Sequence, residues 1–506
     1  MKRVKRYKDI IGNQKGVALV TGLLMLVLLT AMGLALTNTS MVESWLSFNY
    51  RTSKQAFYAA EAGIQDAISR IVSETIYDNA KTSTTWNSGN SYSSTNFTNS
   101  FSITHWVVKD ASGNNVVAAT SDGNPYYKIT SEGTSGTAKR TVEAVFYLEY
   151  NSVFEKALVG CDGVKFSSNG KTSSYSSTGN PTDGKNGDIG TVNNNANIEL
   201  NSNADIKGDV NATGNLTMNS NAVVQKNAYA NGNITMDSNA EIGAADKTSP
   251  YSYEAKAGGN ITKAGNATVY GTESPNTSPS PVPAEPCDPL NVDNVFSNDA
   301  APIQTTNNNV GAGGLNTPFY NDGAKTYNIS SNNTDTIGVA GQSKDYYLTS
   351  FSMDSNAVVT VQGDVTMYVN GNFSMNSNTQ IIFGSGAKLT IYVTGTFTLD
   401  SNTDINNNIA GGQTPSNLTI YSNNQSLSNS DYKINLKSNS GFRGTIYAPK
   451  TAIEVNSNAS IYGAMRGRYV DMKSNGDFKY DEELGKIENG GTPEGYKLLY
   501  WQEKYN

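Results

Sequence analysis

The side chains best suited to chemistry are acidic and basic residues in the C-terminal third of the sequence. Asp400, Asp404, Arg443, Arg466 and Arg468 are of the types that polysaccharide-cleaving enzymes use, because paired carboxylates act as general acid and base. Their spacing does not show that they converge, and Asp alternates with Asn at the repeated position, as a turn residue does. We therefore predict no catalytic residue and no enzyme, with a membrane-anchored carbohydrate-active enzyme as the alternative.

Metal and nucleophile chemistry have weaker candidates. The stretch "DGKNGDIG" at 183–190 offers Asp183, Asn186 and Asp188, but it lacks the spacing and the downstream glutamate of an EF-hand loop. The only histidine of the sequence is His105, and neither HExxH nor CxxC occurs. We expect a polar turn at 183–190, a structural or surface role for His105, no metal and no cofactor.

Cys161 and Cys287 are the two cysteines of the chain. In an extracytoplasmic protein, two cysteines suggest one disulfide. The sequence does not show whether they meet.

Charge separates the N-terminus from the rest of the chain. The net charge of −7 argues against nucleic acid as a partner, since phosphate binding needs a basic surface. Residues 1–16 are basic and precede an uncharged apolar run at 17–36, which is long enough to span a bilayer. This order predicts a cytoplasmic leader and a transmembrane helix. Residues 37–78 keep a helical apolar spacing and predict an amphipathic extension of that helix.

The segment "NQKGVALVTGLLMLVLLTAMGLALTN", followed by "AFYAAEAGIQDA", resembles the PilX N-terminal-domain family of minor pilin-like proteins in type IV pilus assembly. The resemblance implies cleavage after Gly16 by a prepilin peptidase, which leaves Val17 as the new N-terminus. Major pilins carry a glutamate five residues into the mature chain, where this sequence has Thr21. A subunit without that charge suits a terminal or sparse position. The implied partners are the bacterial inner membrane, other pilins or minor pilins, and the peptidase.

Residues 79–151 predict a small antiparallel β head. The stretches "FSITHWVVKD", "NNVVAAT", "YYKITSEGT" and "AKRTVEAVFYLEY" alternate apolar and polar residues and are separated by turn sequences. We expect the long helix to cover one face of this sheet.

From residue 152 the sequence repeats with a period near twenty. The trio [NDK]-S-N recurs, and each repeat holds one or two short strands, which is typical of a parallel β-solenoid. We predict solenoid parts at 152–271 and 292–484, a Pro-rich linker at 272–291 and a C-terminal tail at 485–506. The linker either joins two subdomains or loops off one continuous solenoid.

The repeated Asn is interpreted as a corner residue. Asn tolerates left-handed backbone angles, and stacked asparagines hydrogen-bond from coil to coil. The predicted turn ladder comprises Asn203, Asn221, Asn239, Asn356, Asn378, Asn402 and Asn458.

Recurring tyrosines predict an aromatic stripe along the second solenoid part. Stacking between coils explains such a stripe better than a platform for sugars does. The predicted members are Tyr368, Tyr392, Tyr421, Tyr447 and Tyr462.

The C-terminal stretch 441–484 resembles a β-solenoid domain of unknown function that follows pilus-type N-termini. Its shared features are "GTIYAP", "SNASIYGA" and a "YDEEL"-type close. The charged "YDEELGKIE" is expected to cap the solenoid against end-to-end pairing.

These observations predict a mainly β protein, with an N-terminal transmembrane and extended pilin-like α-helix, a small antiparallel β head and a parallel β-solenoid. Its predicted role is a minor pilin-like component that displays the solenoid outside the inner membrane, on the pilus or the cell surface, at a tip or in low copy. Adhesion to a surface polysaccharide or to a host or abiotic surface is the candidate activity. An envelope scaffold that polymerises through solenoid ends is the further alternative.

Overall fold

The protein consists of two compact units, Met1–Tyr150 with Thr492–Asn506 and Asn151–Gly491. The second unit is thus inserted within the chain of the first, whereas sequence analysis expected consecutive domains. The computed structural model describes residues 3–72, 99–107, 126–149, 152–177, 184–316, 318–406, 413–486 and 495–504.

The first unit begins with one long helix, α1 (Arg3–Val72), whose 70 residues span about 105 Å. No proline interrupts it. Four threonine hydroxyls between residues 21 and 39 donate to main-chain carbonyls four residues earlier. Polar side chains are therefore satisfied within the helix, as a membrane-spanning segment requires. Residues 73–78, also predicted to be helical, lie outside the described residues.

An antiparallel sheet completes the first unit. The C-terminal strand (Gly495–Lys504) pairs with β3 (Ala138–Glu149), with Glu149 opposite Gly495. The sequence predicts a tail without a strand at 485–506, because a strand whose partner lies far away in the chain carries little local signal. The predicted strand at 114–120 lies outside the described residues. The sheet order is β1 (Asn99–Val107), β2 (Tyr126–Ser135), β3 (Ala138–Glu149) and the C-terminal strand (Gly495–Lys504).

Small residues allow α1 to approach this sheet closely. Ala56 and Ala60 are fully buried. A Cβ atom at Gly133 in β2 would lie 2.1 Å from the carbonyl oxygen of Ala56, so only glycine fits there. Phe57 packs edge-on against Trp501 of the C-terminal strand, at 5.5 Å between ring centroids. The predicted cover of the sheet by the helix is thus present.

The second unit is built from short parallel strands wound into a three-sided coil. Its first half contains β4 (Leu158–Phe166), β5 (Lys171–Tyr175), β6 (Ile189–Thr191), β7 (Asn197–Leu200), β8 (Asp205–Ile206), β9 (Val210–Ala212), β10 (Leu216–Met218), β11 (Val223–Val224), β12 (Ala228–Ala230), β13 (Ile234–Met236), β14 (Glu241–Ile242), β15 (Tyr253–Ala257), β16 (Ile261–Lys263), β17 (Thr268–Val269) and β18 (Gly271–Ser274).

The second half starts with short helical turns and continues with strands. The turns are α2 (Val292–Val295), a π-helical turn (Phe296–Ala300) and a 3-10 turn (Ala301–Gln304), with further 3-10 turns at Pro415–Asn417 and Glu482–Lys486. The strands are β19 (Tyr320–Asn321), β20 (Thr326–Ile329), β21 (Thr334–Leu348), β22 (Ser350–Met353), β23 (Val358–Val369), β24 (Phe373–Met375), β25 (Gln380–Phe383), β26 (Lys388–Val393), β27 (Phe397–Leu399), β28 (Asp404–Ile405), β29 (Leu418–Ser422), β30 (Tyr432–Leu436), β31 (Gly441–Val455), β32 (Ser460–Met472) and β33 (Asp477–Asp481).

Equivalent residues of successive coils pair in register, so each side of the coil is a parallel ladder. Side A includes β9, β12 and β26, side B includes β10, β13 and β27, and side C includes β8, β11 and β14. Alternate residues point inward and are buried, as in Leu216 and Met218. On side B, Phe351, Phe373 and Phe397 stack at 4.4 and 4.8 Å between centroids. The predicted fold class is confirmed.

The two halves form one continuous solenoid. Leu158–Gly160 of β4 pairs with Met465–Gly467 of β32, and β5 pairs with β33. The last coil that the chain makes is therefore completed by the first strand of the unit. The Ser152 hydroxyl donates to the Leu484 carbonyl at 2.8 Å, so the chain enters and leaves the solenoid at one place in its middle.

A connecting segment, residues 276–309, runs along side A between the two ends of the solenoid; we call it the strap. Near its start, the Val282 amide donates to the Asn231 side chain at 2.8 Å. In its middle, Cys287 is bonded to Cys161. Near its end, Asn309 exchanges two hydrogen bonds with the main chain of Tyr347. The strap lets the second half start at the far end and wind back to the middle.

Charged residues close the end of the first half. Lys263 and Glu273 are in register with the fully buried Met236 and Ala255 of the preceding coil, and they form an ion pair of 2.5 Å. Inward charges of this kind protect the edge of a sheet against further pairing. At the other end, β19 pairs antiparallel with β20.

The cap predicted at "YDEELGKIE" was wrong. Strand β33, which contains its first residues, lies between β32 and β5 in the middle of the solenoid. The error arose because the stacking order of the coils differs from their order in the chain.

Replacing the terminal ion pair should make the solenoid associate. In the double variant Lys263→Met/Glu273→Ala the last coil would carry the apolar side chains of its neighbour, and its open edge would accept a second copy. We expect dimers or larger species by light scattering on the purified chain in detergent. The control Lys139→Met/Glu132→Ala removes an exposed ion pair of the head and should leave the mass unchanged. A double variant with the wild-type mass would contradict this role.

Candidate functional site

The apolar part of α1 is an uncovered surface. From Val17 to Tyr50 every side chain is exposed, including Leu19, at 73 % of its area, and Trp45, at 75 %. The helix is long and apolar enough in this region to cross a membrane. Lipid or the apolar helices of other subunits must cover such a surface.

The predicted cleavage site, Gly16 and Val17, lies within α1. Thr21, which stands where major pilins have glutamate, donates its hydroxyl to the carbonyl of Val17 at 2.5 Å. A threonine held in this way needs no charged partner from a neighbouring subunit, whereas a buried glutamate would. Cleavage after Gly16 stays a prediction.

The predicted corner asparagines all have left-handed backbone angles, with φ between 59° and 63°. Their amides bond from coil to coil, as from Asn239 to Asn221 at 3.2 Å and from Asn402 to Asn378 at 3.3 Å. Asn203, Asn356 and Asn458 share this conformation. The ladder has further members. Asn439 and Asn475 end [NDK]-S-N trios of the repeat but were left out of the predicted ladder, and Asn169 and Asn332 each follow a Ser-Ser pair instead of such a trio.

Backbone conformation, more than the amide ladder, should fix the residue at each corner. Asn221→Ala and Asn221→Gly both remove the side chain that accepts from Asn239, but only alanine is strained at positive φ. We expect the alanine variant to unfold at lower denaturant concentration than the glycine variant, by about 1 kcal/mol of unfolding free energy. Circular dichroism of the full chain in detergent measures this difference. Equal stability of the two variants would refute the argument.

The tyrosine stripe is a packing surface for the strap. Its rings are in register on successive coils of side A: Tyr347, Tyr368, Tyr392, Tyr421 and Tyr447. Phe296 of the strap packs edge-on against Tyr392 at 5.6 Å, and the Tyr447 hydroxyl donates to Asp288 at 2.6 Å. The stripe is therefore covered rather than presented as a platform.

The predicted membership of that stripe was wrong for Tyr462. This residue lies on side C, opposite Arg443 and Lys479, while Tyr347 takes the remaining place on side A. The shared "IY" dipeptide misled the prediction, because it occurs on two sides of the coil.

The strap is fastened to the junction between the halves. Cys161 and Cys287 form a disulfide bond. Beside it Arg466, which is 5 % exposed, lies 3.6 Å from a Glu285 carboxylate oxygen and donates to the Pro286 carbonyl. These contacts hold the strap where Leu158–Gly160 stacks on β32.

The structure does not bring the candidate catalytic residues together. Asp400 pairs with Lys437 at 3.3 Å at the corner after side B, whereas Asp404 is the first residue of β28 on side C, in register with Gln380 and Gly441. Each arginine is engaged within the fold: Arg443 stacks over Tyr462, Arg466 lies under the strap, and Arg468 donates to Asp162 at 2.7 Å.

The candidate calcium ligands are likewise engaged elsewhere. The Asn186 amide donates to Glu482 at 2.8 Å, and Asp188 accepts from the Asp209 main chain at 2.7 Å. Asp183 lies outside the described residues. Within the described ranges, no group of three His, Cys, Asp or Glu side chains is placed to hold a metal ion. His105 lies in β1 opposite Ile129.

Asp188 gives the solenoid a dependence on pH. Burial, with a contribution from the nearby Asp209 carboxylate, raises the pKa of Asp188 to about 6. Its native pKa lies above its unfolded value, so its stabilising contribution is fully present below about pH 4 and is lost as the pH rises through about 6.

Asp188→Asn should therefore stabilise the protein at pH 7.5 and not at pH 4. Asparagine keeps the oxygen that accepts from the Asp209 main chain, and it cannot ionise. Two coils further on, Asn227 accepts in the same way from the main chain of Glu254. We expect a gain of about 1–2 kcal/mol at pH 7.5 in denaturant titrations of the full chain. Asp237→Asn, which removes an exposed charge, is the control. A gain that is the same at both pH values would argue against the titration of Asp188.

Comparison with known families supports the interpretation of the N-terminal helix. The family model described as PilX N-terminal matches residues 15–65. A second model, a domain of unknown function (DUF7305), matches residues 303–487. The resemblance to the PilX N-terminal family is thus confirmed for α1. It supports a type IV pilus-related, pilin-like role, membrane anchoring and interaction with other pilins, and it points to a structural rather than an enzymatic protein.

Two solved structures show a distant likeness to this chain. The competence-associated pilin ComZ from Thermus thermophilus is 15 % identical, with 90 % of this chain and 97 % of that chain covered and a TM-score of 0.30. An ice binding protein from an Antarctic bacterium of the Flavobacteriaceae is 12 % identical, with 64 % and 80 % covered and a TM-score of 0.18. Neither TM-score is high enough to support an argument about fold or function. No curated protein matches the sequence.

Proposed function

We propose that this protein is a minor pilin-like component of a type IV pilus or related filament, and that it displays its solenoid outside the inner membrane. The observation that carries the proposal is the uncovered apolar part of α1, which lies within the match to the PilX N-terminal family and continues as the helical segment that packs on the head sheet. A helix of this kind enters a membrane at one end and packs with other subunits.

The insertion of the solenoid supports a display role. Both chain connections to the solenoid arise from β3 and the C-terminal strand, which are neighbours in the head sheet. A large inserted unit can thus be carried without interrupting the packing of α1 on the head. Its size favours a tip, priming or low-copy position, with adhesion as the function of the displayed unit.

The disulfide supports an extracytoplasmic position for the solenoid. Disulfides such as Cys161–Cys287 persist in oxidising compartments and are rare in the cytoplasm. The basic residues 1–16 favour the cytoplasmic side for the N-terminus.

The mature N-terminus tests the pilin assignment. We expect a chain that begins at Val17 when the host's prepilin peptidase is present and at Met1 when it is absent, as read by mass spectrometry. Gly16→Val should block the cleavage, whereas Gly12→Val, in the same leader, should not. An intact Met1 in both hosts would leave a simple membrane-anchored solenoid and refute the proposal.

A further inference from the structure

A polar groove lies on side C, where it runs from Asp477 of β33 across the junction and along the first solenoid half, and none of its lining residues belongs to the strap. It has a volume of about 670 Å³, within the range of ligand sites. Its floor is a column of outward residues in register on four successive coils, Lys171, Asp205, Val223 and Glu241. The corner ladder forms one wall, through Asn169, Asn203 and Asn221.

An excursion from the coil forms the other wall. Residues 243–252 separate β14 from β15, whereas three residues separate the equivalent strands β11 and β12. The excursion is ordered by its own hydrogen bonds: Asp246 accepts from the Thr248 main chain at 3.1 Å and from the Ser252 hydroxyl at 3.0 Å. An ordered loop that the core does not need is where binding residues are commonly found.

The excursion presents an aromatic ring beside the groove. Lys247 lines the groove, and its Nζ lies 5.0 Å from the ring centroid of Tyr270. The ring of Tyr270 packs edge-on against that of Tyr251, with 6.2 Å between the centroids. Tyr251 is 48 % exposed. Among the described solenoid residues, only Val310 and Leu427 are other large apolar side chains with such exposure. An exposed tyrosine thus lies beside the groove, connected to its lining residue Lys247 through the ring of Tyr270.

The groove is lined by three carboxylates and two lysines, and one of each forms an ion pair. Glu241 accepts from Lys247 at 2.7 Å, and Asp205 accepts from Gln225 at 2.9 Å. A polyanion would meet three carboxylates here, with Asp477 as the third, and a polycation would meet two lysines. Neutral hydroxyl groups can bond to the amides and to the paired carboxylates without such repulsion.

We propose that this groove binds a neutral oligosaccharide, with Tyr251 stacking on the apolar face of a sugar ring and the amides and carboxylates bonding to its hydroxyls. Aromatic rings offer such an apolar surface while their polar atoms stay solvated. The groove extends along the solenoid axis over four strands about 4.8 Å apart, so it suits a chain of several sugars rather than a monosaccharide. This inference rests on the proposed display function and names the class of its ligand.

Calorimetric titration of the full-length chain in detergent tests the groove. The neutral probes are cellohexaose, maltohexaose and chitohexaose, and hexagalacturonate is the anionic comparison. We expect at least one neutral hexamer to bind, and Tyr251→Ala to weaken that binding by about tenfold or more. Leu427→Ala removes an apolar side chain that is 86 % exposed and lies outside the groove, so it should leave binding unchanged.

A second variant outside the excursion is needed, because Tyr251→Ala could weaken binding by disturbing the fold of residues 243–252. Val223→Gln places in the floor an uncharged side chain of the same length as Glu241 on the next coil, so the groove is filled without a third carboxylate between Asp205 and Glu241. This variant should also lose binding. No binding by any neutral hexamer, tighter binding of hexagalacturonate, or equal affinities of Tyr251→Ala and Leu427→Ala would overturn the proposal. The titration uses the Gly16→Val chain as well, so its outcome does not depend on cleavage of the leader.

Discussion

The solenoid depends on one junction in its middle, where β4 pairs with β32 and β5 pairs with β33. Parallel strands leave main-chain donors and acceptors on both edges, and every coil must either pair with the next or be covered. Here the first strand of the unit completes the last coil that the chain makes. Without that pairing, two shorter solenoids would each expose an apolar core at the junction.

The strap follows from this arrangement. A chain that enters in the middle and winds to one end must cross to the other end before it can wind back. Side A offers the path, because the tyrosine stripe gives aromatic contacts to Phe296 and a hydroxyl to Asp288. The disulfide and Arg466 then hold the strap beside the junction. The match of DUF7305 to residues 303–487 covers only the second half of the solenoid. The coil at the junction also includes residues 158–160, which lie outside that match.

The same topology explains how the solenoid can be inserted within the chain of the first unit. Because the chain enters and leaves the solenoid at Ser152 and Leu484, the C-terminal strand can return to β3. The first unit is therefore built from both ends of the sequence. Local patterns predicted α1 and β1–β3, but nothing local marked residues 495–504 as their partner.

The sequence by itself determined the local structure: an apolar helix at 17–36, strands with inward apolar residues, and corners at asparagines such as Asn221 and Asn402. These features depend on neighbouring residues, on side-chain periodicity and on the backbone angles that Asn tolerates. Tertiary structure decided the order of stacking, the covered tyrosines, the terminal ion pair Lys263–Glu273 and the groove beside Tyr251. Each of these depends on which distant coils become neighbours, and a repeat whose coils are nearly alike carries little information about that choice.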